Sequence, residues 1–368
     1  MLRRLIIKQR SHSNAPLEKP LSIRYFNREE FAVNLWEEDM RDMSEPERER
    51  RFKVDLLYDG RRLDKFLCHK MRWRTRTETQ RRIREGFVLV NDMPVKPNHI
   101  LRNGDIVYVK IEVPEIDLDE LPIEFLFEDE DVLVVDKPAG VMVHPTGKHI
   151  FGTLLNAIYK RMKDRGEIEA GFEPLLCHRL DQNTTGALVI AKNKNSRRFL
   201  QEEFENDRVK KFYLTIVEGI VEADSGEINY PLLEKRGEKC LKMVVDKYGY
   251  PSLTLFKVKD RFPIASGFSF LECELKTGRT HQIRAHLSHI GHPVLCDAVY
   301  GLRTTLTKGD LGIEPKDECI FSRQALHSWK VGFRHPSKQE FIEIEAPLPA
   351  DFLNLLSLLE SSTQSNAV

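Results

Sequence analysis

Nothing in this sequence signals a membrane span, a disulfide frame or a nucleotide cofactor. Apolar stretches such as Val132 to Val135 fall far short of the roughly 18 residues that a spanning helix requires. The six cysteines (Cys68, Cys177, Cys240, Cys273, Cys296 and Cys319) are scattered without a CxxC pair. That pattern points to buried thiols in a reducing compartment and away from disulfides or a zinc site. No P-loop and no Gly-rich dinucleotide fingerprint occurs. Gly 20 and Pro 18 are ordinary counts, which excludes collagen-like and proline-rich classes. The basic start MLRRLIIKQR has only three apolar residues in a row, so a secretory core is missing. Acids are absent before residue 18, which keeps an organellar leader open beside a plain disordered one. These absences describe a soluble, cytoplasmic protein. Its 41% hydrophobic residues can fill substantial cores, and 368 residues at about 150 per domain suggest two to three units.

Net charge is missing too, because Lys+Arg 57 balance Asp+Glu 57. The balance conceals segregation. Arg61, Arg62, Lys65, Lys70, Arg72, Arg74, Arg76, Arg81, Arg82 and Arg84 crowd one segment, against Asp64, Glu78 and Glu85. Residues 113–131 carry nine acids and no Lys or Arg. One positive module is therefore followed by one negative linker. A solvated face is the bland reading of the basic run. The scarcity of acids and the nearby Trp73 and His69 favour binding to nucleic-acid phosphates and bases instead.

Periodicity divides the chain into a poorly ordered leader (1–50), a small basic module (51–111), an acidic linker (112–122), a long domain (123–350) and a tail (351–368). The module reads as two short helices followed by a β-ribbon. Its second helix is expected to start at Thr77, capped with Gln80, and to present Arg81, Arg82 and Arg84 to solvent. In the long domain, strands are expected over 123–127, 132–136, 187–191, 212–217, 241–245, 252–258, 268–275, 325–333 and 341–344. Helices are expected over 153–163, 195–206 and 280–290. No βαβ alternation is sustained, so an α+β fold with a largely antiparallel sheet is the expectation.

Three polar elements carry candidate chemistry. The loop His178-Arg179-Leu180-Asp181-Gln182-Asn183-Thr184-Thr185-Gly186 puts one carboxylate beside Arg and His. A cationic neighbour favours an ionised Asp, which suits a nucleophile or base; an Asx-turn with Arg179 as a surface ion pair is the structural alternative. In Gly278-Arg279-Thr280-His281-Gln282-Ile283-Arg284, Thr280 can cap a helix that carries His281 and Arg284 on one side. An Arg on a rigid helix can grip a carboxylate bidentately. The histidines 281, 286, 289 and 292 invite a zinc reading, yet Arg279 and Arg284 stand beside them and no thiolate precedes Cys296, so no metal is expected. Lys211-Phe212-Tyr213 opens a strand, where a lone Tyr reads first as packing.

Taken together and in order, HRLDQNTTGALVIAKN, KKFYLTIVEG and LKTGRTHQIRAHLSHIGHPVLCDAVYG resemble the RluA-type family of RNA pseudouridine synthases, as does DEDVLVVDKPAGVMVHPT. RRLDKFL and TETQRRIREGFVLVNDMPVKPNHILRNGDIVYV resemble the S-four-type (αL) RNA-binding module. The resemblance spans residues from about 55 to 350. Thr185, Cys296 and Ala298 depart from the family's commoner Ser, Gly and Pro. It implies an isomerase that acts on RNA and needs no cofactor or metal; a monomer is the expectation for the chain. Asp181, Tyr213 and Arg284 are its implied catalytic residues. Asp181 would act at the anomeric carbon, on the ring, or as a base at the ribose; Arg284 would pair with it. Tyr213 would stack on the uracil and help remove a ring proton. Arg179, His178, Lys137, His281, Arg279, Arg74, Arg76, Arg81, Arg82 and Arg84 are the implied RNA contacts, with a structural role equally open for Lys137. Large-subunit ribosomal RNA is the implied substrate and transfer RNA the runner-up. A non-catalytic binder and a glycoside-type hydrolase are the rivals from other classes; the latter would usually need a second carboxylate in the loop.

Overall fold

The computed structural model describes residues 42–71, 75–145, 150–236 and 241–365. The leader up to residue 41 and Arg72, Trp73, Arg74 and Cys240 lie outside them. Residues from Met43 onward form one unit. The expected leader extends too far, because β1 (Glu49–Lys53) already pairs in a sheet and the Met43 carbonyl accepts from Asn156 at 2.9 Å.

The basic module is built as its pattern implies. Strands β1, β2 (Val88–Val90), β3 (Met93–Pro94) and β4 (Ile106–Lys110) form an antiparallel sheet in the order β1-β4-β2-β3. Helices α1 (Leu63–Lys70) and α2 (Arg76–Arg84) pack on a core of Leu63, Phe66, Leu67, Ile83, Val88 and Val107. Thr75, and not Thr77, caps α2 by accepting from the Glu78 amide at 3.2 Å. Gln80 has a different partner, the buried Asp64, to which it donates at 2.6 Å. The acidic linker is no free tether: Leu118 and Ile123 are buried, and Arg161 donates to the carbonyls of Leu121 and Ile123.

The large domain is organised around one ten-stranded sheet. Its order is β10-β13-β14-β9-β17-β8-β6-β5, with β7 on β8 and β18 on β17. The strands are β5 (Glu124–Glu128), β6 (Val132–Lys137), β7 (Leu175–Leu176), β8 (Thr185–Ala191), β9 (Lys210–Glu218) and β10 (Ser225–Asn229). After a hairpin of β11 (Leu232–Arg236) and β12 (Leu241–Val245) come β13 (Leu253–Phe262) and β14 (Phe268–Leu275). A short pair, β15 (Leu306–Thr307) and β16 (Cys319–Phe321), precedes β17 (Leu326–Arg334) and β18 (Phe341–Glu345). The central strands read as unbroken apolar runs because both faces are covered. On β6, Leu133 and Val135 meet Leu154 and Ile158 of α3 (Leu154–Asp164), while Val132 and Val134 face the core that holds Leu200 of α4 (Lys194–Glu205). The outcome is the expected α+β architecture.

One junction in this sheet is parallel, where β17 meets β8 at His327–Thr185 and Ser328–Gly186. Gly186 has φ 104° there, and a Cβ on it would lie 2.2 Å from the Ser328 carbonyl oxygen. Only glycine tolerates both conditions. The close approach sets the Asp181 loop, which ends at this residue, directly against β17.

Two further expectations are corrected. The expected tail (351–368) is helical over its described part: α6 (Ala350–Ser365) buries Phe352, Leu355, Leu356 and Leu359 against Phe268, Leu295 and Phe321. The cysteines are not uniformly buried, since Cys319 is exposed. Among the described residues no helix is long and apolar enough to cross a membrane.

Candidate active site

The loop before β8 is held by its own backbone accounting. Four successive carbonyls accept hydrogen bonds: Asp181 from the Thr184 amide at 3.1 Å, Gln182 and Thr184 from Lys137 Nζ at 2.7 and 3.0 Å, and Asn183 from Arg323 at 3.2 Å. Lys137 is fully buried and also donates to the Pro138 carbonyl at 2.8 Å. Burial pulls its ammonium down to about 7, while three carbonyl acceptors call on all three of its protons. Lys137 is therefore a clamp on the loop and does not face RNA. Arg323 is a second clamp, itself gripped by Asp351 of α6 at 2.6 and 3.0 Å. The Asp181 backbone is thus fixed from two sides, and its carboxylate stays partly open, 19% exposed.

Helix α5 (Gln282–His289) brings the counter-charge. Arg284 donates to Asp181 Oδ2 through Nη1 at 2.7 Å and to Asp297 through Nε and Nη2 at 2.6 and 2.8 Å. Asp297 is wholly buried and also accepts from the amides of Val299 and Tyr300. Burial works against the ionised Asp297, but Arg284 and these amides outweigh it and hold its pKa below the usual carboxylate value. Burial likewise works against the Arg284 cation, and the two carboxylates more than compensate. The Tyr300 ring lies 5.3 Å from the guanidinium carbon. The expected cap at Thr280 gives way to His281, whose left-handed backbone (φ 52°) begins α5. Such a conformation costs roughly 1–2 kcal/mol for an L-residue. It directs His281 Nε2 to within 3.6 Å of Asp181 and Nδ1 to the Tyr300 hydroxyl at 3.1 Å. Burial lowers the His281 pKa and favours the neutral ring.

Tyr213 projects from β9 beside this pair. Burial, reinforced by the Asp181 charge and against a Ser328 hydrogen bond, pushes its phenol up to about 12. The remaining expected contacts separate into two kinds. Arg179 and Arg279 are exposed at the rim, Arg279 with its guanidinium 5.7 Å from the Tyr250 ring. His178 is structural: its Nε2 accepts from the Val189 amide at 2.9 Å, its ring stacks on Phe204 at 4.4 Å, and burial lowers it to about 3. The four histidines considered for zinc have separate partners. His286 bonds Thr254 and the Tyr230 carbonyl, His289 packs on Tyr230, and His292 reaches the Glu218 carbonyl. Among the described residues no cluster of metal-ligating side chains forms.

The model of the RNA pseudouridylate synthase family matches residues 131–289, a span that includes Asp181, Tyr213 and Arg284. A Bacillus subtilis RNA pseudouridine synthase, YlyB, is 36% identical over 304 residues, which cover 82% of this chain and 95% of that protein. The chain belongs to the RNA pseudouridine synthase family. The synthase carries an S4 domain at residues 61–107, within the basic module. It is also 35% identical to a Neisseria meningitidis ribosomal large subunit pseudouridine synthase D, over 87% of this chain and 84% of that one. Among solved structures, human RNA Pseudouridylate Synthase Domain Containing 4 aligns with TM-score 0.49 and 23% identity, over 64% of this chain and 92% of the other.

The synthase's S4-domain cations are more engaged than their sequence suggests. Arg76 reaches Asp64 at 3.1 Å, Arg81 pairs with Glu78 and Glu85, and Arg82 pairs with Glu78 and Glu112. Arg84 is exposed, and Arg74 lies outside the described residues. Sequence reasoning missed Asp297 as the anchor of Arg284, and it missed Arg323 altogether. The Asp297 carboxylate stands in the motif CDAVYG, where an acid reads as a turn cap, and it is that as well. Arg323 left no local signal, because its partners Asn183 and Asp351 lie 140 and 28 residues away.

Proposed function

We propose that this synthase converts specific uridines of structured large-subunit ribosomal RNA to pseudouridine, with Asp181 as the reacting carboxylate and without a cofactor. The observation that carries the proposal is the Arg284–Asp181 contact at 2.7 Å, made by an arginine that Asp297 already holds in place. The reaction breaks the bond between uracil N1 and ribose C1′, turns the ring, and joins C5 to C1′. N1 then holds a proton and C5 has lost one, so the product is an isomer and no electrons are exchanged. Asp181 acts at C1′, at the ring or at the neighbouring ribose proton, and Arg284 fixes the direction from which it does so. Tyr213 supplies a ring to stack against the flipped uracil. Its neutral phenol can accept the C5 proton only by passing its own onward, and Ser328 is the hydroxyl in contact with it. The substrate class follows the S4 domain and the relatives named for the large ribosomal subunit.

Release of tritium from RNA labelled at uridine C5 tests the reaction, because C5 loses its hydrogen when it becomes glycosidic. Asp181→Asn should abolish release while leaving RNA binding and the folded spectrum intact. Release should persist in excess EDTA on an unstructured RNA. An Asn variant within about tenfold of the parent would remove Asp181 from the reaction. Free uracil in place of retained pseudouridine would mean hydrolysis.

A further inference from the structure

Three exposed tyrosines flank the β11–β12 hairpin, and none takes part in the site above. Tyr230 stands just before β11, and Tyr248 and Tyr250 just after β12, with exposures of 43%, 78% and 55%. The Leu232–Tyr250 bridge closes the base of the hairpin and draws these segments together. Two of the rings carry a cation over one face: Lys247 Nζ lies 4.9 Å from Tyr248, and the Arg279 guanidinium 5.7 Å from Tyr250. The acid in this turn, Asp246, is occupied by the Tyr248 amide at 3.0 Å. Tyrosine rings left in water at this density gain little from burial within the chain; bases have flat faces and phosphates that match rings interleaved with Lys and Arg.

The patch is also joined to the reacting carboxylate by contacts. The Met243 amide, on β12, donates to the Tyr300 hydroxyl at 2.7 Å, and Lys242 lies 5.1 Å from the Tyr300 ring. Tyr300 in turn contacts His281 and Arg284, the two groups at Asp181. Arg279 stands two residues before His281. Arg279 therefore adjoins both the Tyr250 ring and the start of α5, the helix that carries Arg284.

We propose that Tyr248 and Tyr250, with Lys247, Arg279 and the neighbouring Tyr230, form a stacking platform for single-stranded nucleotides that flank the target uridine. The proposal rests on the reading that the Asp181 site takes RNA. It divides recognition between two surfaces of different chemistry: the S4 domain engages folded RNA through phosphates, and the platform engages bases that are out of their helix.

The test uses the full-length protein and a short uridine-rich oligonucleotide carrying 2-aminopurine at single positions, whose fluorescence falls when it stacks on an aromatic ring. The parent and Tyr248→Phe/Tyr250→Phe should both quench the probe beside the target uridine. Tyr248→Ala/Tyr250→Ala should lose the quenching and bind about tenfold or more weakly. Its affinity for a blunt RNA duplex should be unchanged. Tyr248→Ala alone, at the most exposed ring, serves if the double variant fails to fold. Asp181→Asn is run alongside and should quench like the parent, so an error in the catalytic assignment does not disturb this readout. Parent-like binding by the Ala variants would overturn the platform. Equal loss by the Phe pair would overturn it too, because hydroxyl hydrogen bonds would then be responsible.

Discussion

Arg284 meets Asp181 at 2.7 Å across 103 residues of chain, with only one of its three guanidinium nitrogens. The other two belong to Asp297, so the arginine arrives with its plane already set. A monodentate contact from a pre-oriented donor leaves the second oxygen of Asp181 available for chemistry. It also makes Asp297, which never approaches the open side of the site, a positioning residue for the carboxylate.

Asp297→Asn should therefore impair turnover without altering Asp181. Replacing one partner of a buried pair costs about 3 kcal/mol or more, and it loosens the guanidinium plane. Arg284→Lys should lower kcat by about a hundredfold, because an ammonium cannot bridge both carboxylates in the fork geometry. Thermal unfolding and kcat measured together check this. Parent-like kcat in both variants would leave Arg284 a structural residue.

Tyr213→Phe separates the ring from the hydroxyl. Stacking survives the change, so KM should stay within about twofold, whereas kcat should fall by about a hundredfold if the hydroxyl moves the C5 proton. With a phenol pushed up to about 12, the parent's rate should show no Tyr213 titration through the neutral range. Steady-state kinetics across pH provide the measurement, and an unchanged kcat would restrict Tyr213 to stacking.

Asp129 ties two turns together, accepting from His335 at 2.8 Å and Lys338 at 2.9 Å. Burial opposes its charge, but Lys338, the amides of Asp131 and Val132, and His335 outweigh burial and lower the carboxyl to about 2. A carboxyl depressed on folding contributes stability above its unfolded value of about 3.9, and that contribution fades as pH falls through about 2. Its size is about 2 kcal/mol, so Asp129→Asn should flatten the stability curve between about pH 5 and pH 2. Urea denaturation of parent and variant across that range is the check; parallel curves would show that Asp129 is not the titrating group.

The S4-domain cations should differ in their salt dependence. Arg84 is exposed, and its loss should lower the slope of log affinity against log salt by about 1. Arg81 already holds Glu78 and Glu85, so Arg81→Ala removes one cation from both acids, leaves Glu78 with Arg82, and should weaken binding through acid–phosphate repulsion as well. Titrations on structured RNA at several salt concentrations distinguish them. Equal slopes for parent and Arg84→Ala would place the RNA anchor elsewhere.

Local rules governed everything that could be read along the chain. The apolar run on β6 marks a strand covered on both faces, and Asn193 and Thr153 cap their helices through bonds three residues away. Two local signals were present but were read differently. Thr75-Arg-Thr-Glu78 repeats the capping pattern two residues before the expected Thr77, and Phe352, Leu355, Leu356 and Leu359 have helical spacing in a stretch taken for a tail. The three central residues were named from their motifs, yet their meeting is a tertiary event: the β8 loop, β9 and α5 converge only because β17 inserts parallel to β8 beside Gly186. Burial decided the rest. Lys137 and His178 carry the same polar atoms as an RNA contact would, and only the fold turns those atoms onto backbone carbonyls and an amide. A sequence specifies which atoms a side chain offers. The neighbours that accept them, and the dielectric in which they do so, come from chain segments tens to hundreds of residues away.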